Sequence, residues 1–159
     1  MMSTQVSPEG ATGLNAPGTI DMKLEVVTLP VSDVDRAKRF YQSLGWRMDI
    51  DLVVSDDFRQ VQMTPPHSQC SIHFGKGLTA MEPGSVERLY LAVKDIDAAR
   101  EDLVSRGVDV SEVEEQPKPP GFDLPGRSYF AYASFRDPDG NGWLLQEVTT
   151  RLPGREWED

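Results

Sequence analysis

Apolar and polar positions change rhythm along this chain in the same order twice. "LEVVTLPV" (24–31) is rich in β-branched residues, and "SDVDRAKRFYQSLGW" after it repeats apolar side chains at Val34, Ala37, Phe40, Tyr41 and Leu44, a helical spacing. At a constant offset of 62 residues, "ERLYLAV" (87–93) runs into "KDIDAAREDLVSRG", with Ile96, Ala99, Leu103 and Val104 spaced the same way. Identities at that offset include Glu25/Glu87, Leu29/Leu91, Val31/Val93, Asp33/Asp95, Asp35/Asp97, Ala37/Ala99, Ser43/Ser105 and Gly45/Gly107. Ser32 or Asp33, and Asp95 in the second copy, can accept the free N–H groups of a new helix. Gly45 and Gly107 supply the left-handed residue that stops it. Helices are therefore predicted over 34–44 and 96–106.

Alternating stretches follow each helix. In the first copy they cover 47–54, 58–64 and 69–75; in the second, 109–114, 128–137 and 142–149. Two copies are too few for a solenoid, so the reading is an α+β fold of tandem βαβββ modules. Each helix must cover one face of its sheet, which leaves the other face free to line a cavity. The modules span 22–80 and 81–152, with a polar N-terminal tail over 1–21 and a short tail over 153–159. Within the second module, "EEQPKPPGFDLPGRS" (114–128) carries four prolines and two glycines. That composition excludes regular structure and suits a lid or binding loop.

Charge narrows the partners. The 159 residues carry a net charge of −10 with no local basic run, which argues against nucleic acid and anionic membrane. No apolar run is long enough to span a bilayer, and the start lacks a signal peptide's basic and apolar regions, so a cytoplasmic location is expected. Cys70 is the single cysteine, which rules out an internal disulfide and a cysteine zinc cluster; its apolar context predicts a buried, inert thiol.

With "LPVSDVDRAKRFYQSLGW" as its opening and "FRDPDGNGWLLQE" (135–147) as its close, the duplicated chain resembles the vicinal oxygen chelate superfamily. That group takes in glyoxalase, bleomycin-resistance and extradiol dioxygenase-like proteins. The resemblance covers about residues 22–152 and implies an open, incomplete barrel around a pocket, commonly in a homodimer. It also implies a divalent metal held by a His from the first strand and a Glu from the last strand of each module. Here those positions fall at Val26, Arg88, either His73 or Phe74, and Glu147. Valine has no donor atom and arginine is a permanent cation, so no metal or other cofactor is expected; His73 with Glu147 is the weaker alternative ligand set.

Beside Glu147 the homologous position holds Arg88, so the expectation is a carboxylate facing a guanidinium across a pocket. Glu147 is the candidate catalytic base, and Arg88, His73, Tyr132 and Phe135 are the candidate substrate-binding residues. Alternation sends part of the Tyr129, Phe130, Tyr132 and Phe135 cluster to the core instead. Trp46 and Trp143 read as packing residues, and His67 as a loop residue. Three functions stay open. One is a glyoxalase-like protein of isomerase or lyase type that binds a small organic molecule and moves protons without metal. The second is a non-catalytic sequestering protein of bleomycin-resistance type, and the third a metal-dependent lyase or dioxygenase with unconventional ligands.

Overall fold

The computed structural model describes residues 16–157. Two sheets of four strands each form, and each is mixed. The first holds β1 (Val26–Thr28), β2 (Arg47–Ser55), β3 (Phe58–Thr64) and β4 (Ser71–Lys76) in the order β1-β4-β3-β2. The second holds β5 (Leu89–Val93), β6 (Glu114–Glu115), β7 (Ala131–Arg136) and β8 (Gly142–Glu147) in the order β5-β8-β7-β6. In both, the first strand runs parallel to the last and the remaining pairs are antiparallel. Helix α1 (Val34–Ser43) and helix α2 (Ile96–Ser105) follow β1 and β5, as the repeat predicts. No helix among the described residues is long and apolar enough to cross a membrane.

The helix ends show why the two copies fold alike. The side chains of Asp33 and Asp95 accept the Arg36 and Ala98 amides, each at 3.0 Å, from extended backbones with φ of −134°. Each such cap is worth about 1 kcal/mol. Gly45 (φ 85°) and Gly107 (φ 87°) turn the chain out of the helix in the left-handed region, where a side chain would be strained. A ten-residue helix is marginal alone, so each depends on burying its apolar side, such as Ala37 and Tyr41 on α1.

Parity along the strands separates two faces. Val61, Met63, Ile72 and Phe74 of the first sheet and Ala131, Ala133, Phe135, Trp143 and Leu145 of the second are buried in one continuous core. Tyr41 stands where the modules meet: its ring lies 5.0 Å from Trp46, 5.7 Å from Phe74 and 6.0 Å from Trp143. Thus the helix-facing side of each sheet looks toward the other module, and the opposite side of each is left open. The sheets do not close on each other.

A polar turn fastens the modules. Asp137 accepts the Asp139 and Asn141 amides on one oxygen, and the Tyr41 hydroxyl (2.9 Å) and Asn141 Nδ2 (2.9 Å) on the other. Asn141 also donates to the Pro30 carbonyl (2.9 Å) and accepts the Val86 amide (3.1 Å). Asp139 accepts from the Ser32 amide (3.1 Å) and Arg36 Nη2 (3.2 Å). "DPDGN" is therefore a turn, as its residues predict, and also the joint between the second module and the β1–α1 corner of the first.

Three expectations change. The strand expected over 109–114 shrinks to Glu114–Glu115: Ser111 still bonds Ser134 of β7 through its amide (2.9 Å) and hydroxyl (2.9 Å), but Arg100 takes the Ser111 (2.7 Å) and Val110 (3.3 Å) carbonyls. Regular structure thus reaches the first two residues of the 114–128 segment. The C-terminal tail is tied down as far as Trp157, whose indole donates to the Val148 carbonyl (3.1 Å) under Lys94 and Arg151. Residues 1–15 of the expected N-terminal tail lie outside the described residues, and residues 16–21 are exposed without helix or strand.

Candidate functional site

The residues expected to line a site divide between the two sides of the sheets. His73 sits on the open side of the first sheet, because Ile72 and Phe74 on either side of it point into the core. That parity answers the register question: His73, not Phe74, faces outward. Its Nε2 shares a hydrogen bond with the Thr28 hydroxyl, and its strand neighbour on β3 is Gln62. Burial pushes the imidazole below its ordinary value. Along the same sheet a polar hollow of about 560 Å³ is lined by Lys23, Glu25, Arg47, Asp49, Gln62, Thr64, Cys70 and Ser71, among others. Thr64 donates to Asp49 and is hydrogen-bonded to Ser71 at 2.6 Å. Cys70 lies just before β4, half-buried rather than sealed in; burial, then the charge of Glu25, pushes its thiol up.

On the open side of the second sheet, Arg88 leads into β5 with a φ of 62°. A non-glycine residue held there costs about 1–3 kcal/mol and is found most at functional sites. Its guanidinium donates to the Tyr90 hydroxyl and sits 5.5 Å from that ring's centre. Among the described residues it has no carboxylate within ion-pair distance. Tyr90 packs edge-on against Tyr132, centres 6.4 Å apart. Tyr132 pairs across the strands with Gln146, and both donate to the Tyr129 carbonyl, at 2.6 and 3.1 Å. A smaller hollow of about 250 Å³ opens beside Arg88, Ser134 and Leu144.

Glu147 is elsewhere. With Trp143 and Leu145 it points to the helix side, 6% exposed. One carboxylate oxygen accepts Arg127 Nε (2.8 Å); the other accepts the Ile96 amide at the start of α2 (3.0 Å) and Arg127 Nη2 (3.3 Å). The expected Glu147–Arg88 pair is therefore corrected to Glu147–Arg127. The reason is strand parity. Thr28 and Tyr90 are equivalent in the repeat, and they pair with His73 and Leu144. Leu144 is thus the counterpart of His73, and Glu147, three residues on, must face the other way. Phe135 is buried in the core, stacked on Trp143 at 6.2 Å and 7°, and also lines the smaller hollow.

Metal chemistry of the kind the resemblance implies does not fit these residues. Val26 offers no donor and Arg88 none that is free of charge. His73 and Glu147 lie on opposite kinds of face in different sheets, and no group of three or more His, Cys, Asp or Glu that could hold a metal ion occurs among the described residues. Arg127, Tyr90 and Gln146 went unmarked in the sequence. Strand alternation puts Tyr90 on the face of Arg88, and Gln146 on the face opposite Glu147; nothing local marks Arg127.

The model of the Glyoxalase/Bleomycin resistance protein/Dioxygenase superfamily matches residues 23–145. Among solved structures, TnmS3, an antibiotic binding protein from Streptomyces sp. CB03234, is 28% identical with a TM-score of 0.65, over 82% of this chain and 99% of that one. A glyoxalase/bleomycin resistance protein from the same Streptomyces is 30% identical with a TM-score of 0.61, over 78% and 99%. The bleomycin resistance determinant encoded on transposon Tn5 shares the fold at 19% identity and a TM-score of 0.57, over 81% and 100%. No curated protein matches the chain.

Proposed function

The chain belongs to the glyoxalase/bleomycin resistance protein/dioxygenase superfamily, and on that premise we propose that it is a binding protein for a small organic molecule, held against the open sheet faces within a homodimer. The observation that carries this reading is the position of Glu147. Both its oxygens are engaged by Arg127 and the Ile96 amide on the helix side, so it does not face a ligand as a base. What faces outward instead is a recognition set: Arg88, Tyr90, Tyr132 and Gln146 on one sheet, and His73, Thr28 and Gln62 on the other. A guanidinium without a carboxylate partner suits a carbonyl or carboxylate oxygen, and paired tyrosines suit a flat ring. The similarity to an antibiotic binding protein supports binding as the outcome.

Titration calorimetry and thermal shift with 2-naphthoate, its uncharged alcohol and bleomycin test the proposal, since a ligand that binds only the folded state raises the melting temperature. Arg88→Ala is expected to weaken 2-naphthoate by about ten- to a hundredfold, the range of a lost charge-assisted hydrogen bond, and to affect the alcohol much less. Equal affinity of wild type and variant for the carboxylate would remove Arg88 from the site.

His73 favours a second reading. Burial, which lowers its imidazole, favours the neutral form on the open side, a group able to take a proton in isomerase or lyase chemistry. Turnover abolished in His73→Gln with ligand affinity retained would select that reading over plain sequestration.

A further inference from the structure

We propose that Arg127 and Glu147 form a latch that fixes the end of the proline-rich loop, and that they are positioning residues that orient, through Tyr129, the polar groups on the open side of the second sheet. The inference rests on the open-face reading above and adds how that face is held in shape. The loop between β6 and β7 runs over residues 116–130, and near its end residues 127–129 are tied to the end of β8 and the residues beyond it. Arg127 reaches both oxygens of the Glu147 carboxylate and, through Nη2, Asp97 at 2.9 Å on the first turn of α2. The Glu147 carbonyl accepts the Tyr129 amide at 2.7 Å. Between them, buried Ser128 donates to the Thr150 carbonyl (2.7 Å) and accepts the Thr149 and Thr150 amides.

The tie has a consequence on the opposite face. Tyr129 is held at φ 71°, and that twist delivers its carbonyl to the Tyr132 hydroxyl and Gln146 Nε2 on the open side. Orientation of the two outward polar groups is thus set by a loop whose anchor lies behind the sheet. The same anchor carries Phe122, which packs edge-on against Phe130 (4.8 Å) and Tyr129 (6.3 Å). Glu147 is suited to the task because its charge is met twice, by a forked guanidinium and by the positive end of α2. Lysine could replace only part of that grip.

The test uses the full chain without ligand. Chymotrypsin should cut after Phe122 about tenfold faster in Arg127→Met than in wild type, because cleavage follows the population of the opened loop. Arg127→Lys should recover much of the protection. The 13Cζ tyrosine resonance of Tyr132, assigned by its loss in Tyr132→Phe, should move in Arg127→Met and return toward its original position in Arg127→Lys. Glu147→Gln, which keeps an acceptor for the Ile96 amide, repeats both measurements should Arg127→Met fail to fold. Unchanged cleavage would overturn the latch. Faster cleavage with an unmoved Tyr132 resonance would overturn the positioning role. Failure of wild type to bind 2-naphthoate would count against the proposed function, while these two readouts judge the latch independently.

Discussion

Tyr41 is a polar side chain at the centre of an apolar junction. Its hydroxyl donates to Asp137 at 2.9 Å and accepts the Trp143 indole N–H at 3.0 Å. Burial, then the charge of Asp137, pushes the phenol well above its usual range, which favours the protonated, donating form. Tyr41→Phe leaves the ring packing intact but strands a buried indole N–H and one lone pair of Asp137. The expected cost is about 1–3 kcal/mol, read as a lower urea midpoint at unchanged slope. Single residues are also where the sequence misled. Glu147 matched a family position by type, yet type carries no information about face; only the ladder Tyr90–Leu144 supplies that. Whether His73 or Phe74 faces outward was open in the sequence, and burial decides it, since Ile72 and Phe74 both turn into the core. Arg127 was not legible, since its partners Glu147 and Asp97 are 20 and 30 residues away.

Among elements, α1 is held to its sheet by an ion network as well as by its apolar side. Asp51 on β2 accepts Lys38 Nζ of α1 at 2.7 Å and Arg59 of β3 at 2.9 and 3.0 Å, and Arg59 also reaches Asp35. Arg59 first, then Lys38, holds the Asp51 carboxyl far below the usual carboxylate range. A carboxylate depressed in the folded state binds fewer protons there than in the unfolded chain. Its stabilisation is therefore complete above about pH 4 and lost as pH falls below it. Urea unfolding of Asp51→Asn against wild type should show a deficit of roughly 1 kcal/mol at pH 7 that closes on acidification. A deficit that persists at low pH would mean packing rather than charge. Helices and most strands were legible because caps, glycine stops and alternation are local. The irregular segment 109–113 was not, since its carbonyls are held by Arg100 of α2, a tertiary contact.

At the scale of the whole molecule, the exposed apolar surface is concentrated. Met48, Ile50, Leu52, Val53 and Val54 are between 41% and 65% exposed along β2, whose outer edge has no strand partner among the described residues. A long apolar edge of this kind is a pairing surface unless something covers it. Ile50 and Leu52 point to the open side with Gln62 and Gln60. Replacing both by glutamate is expected to give a monomeric mass by light scattering with unchanged circular dichroism, and to abolish the thermal shift given by ligand. A wild-type chain that is itself monomeric while binding ligand would refute the proposed homodimer. The repeat announced two modules, but which sides of them meet is decided by Tyr41, Asp137 and Trp143, contacts that no period in the sequence encodes.

The Asp137–Asn141 turn makes the duplication unequal. It grips Pro30, Ser32 and Arg36 of the first copy, whereas the corresponding link between β3 and β4, "PPHSQC", carries no aspartate or asparagine to return the grip. The halves have therefore ceased to be spare parts for one another. A recombination event that overwrote the second half with the first would preserve the order of strands and helix and still discard the hinge pin between them.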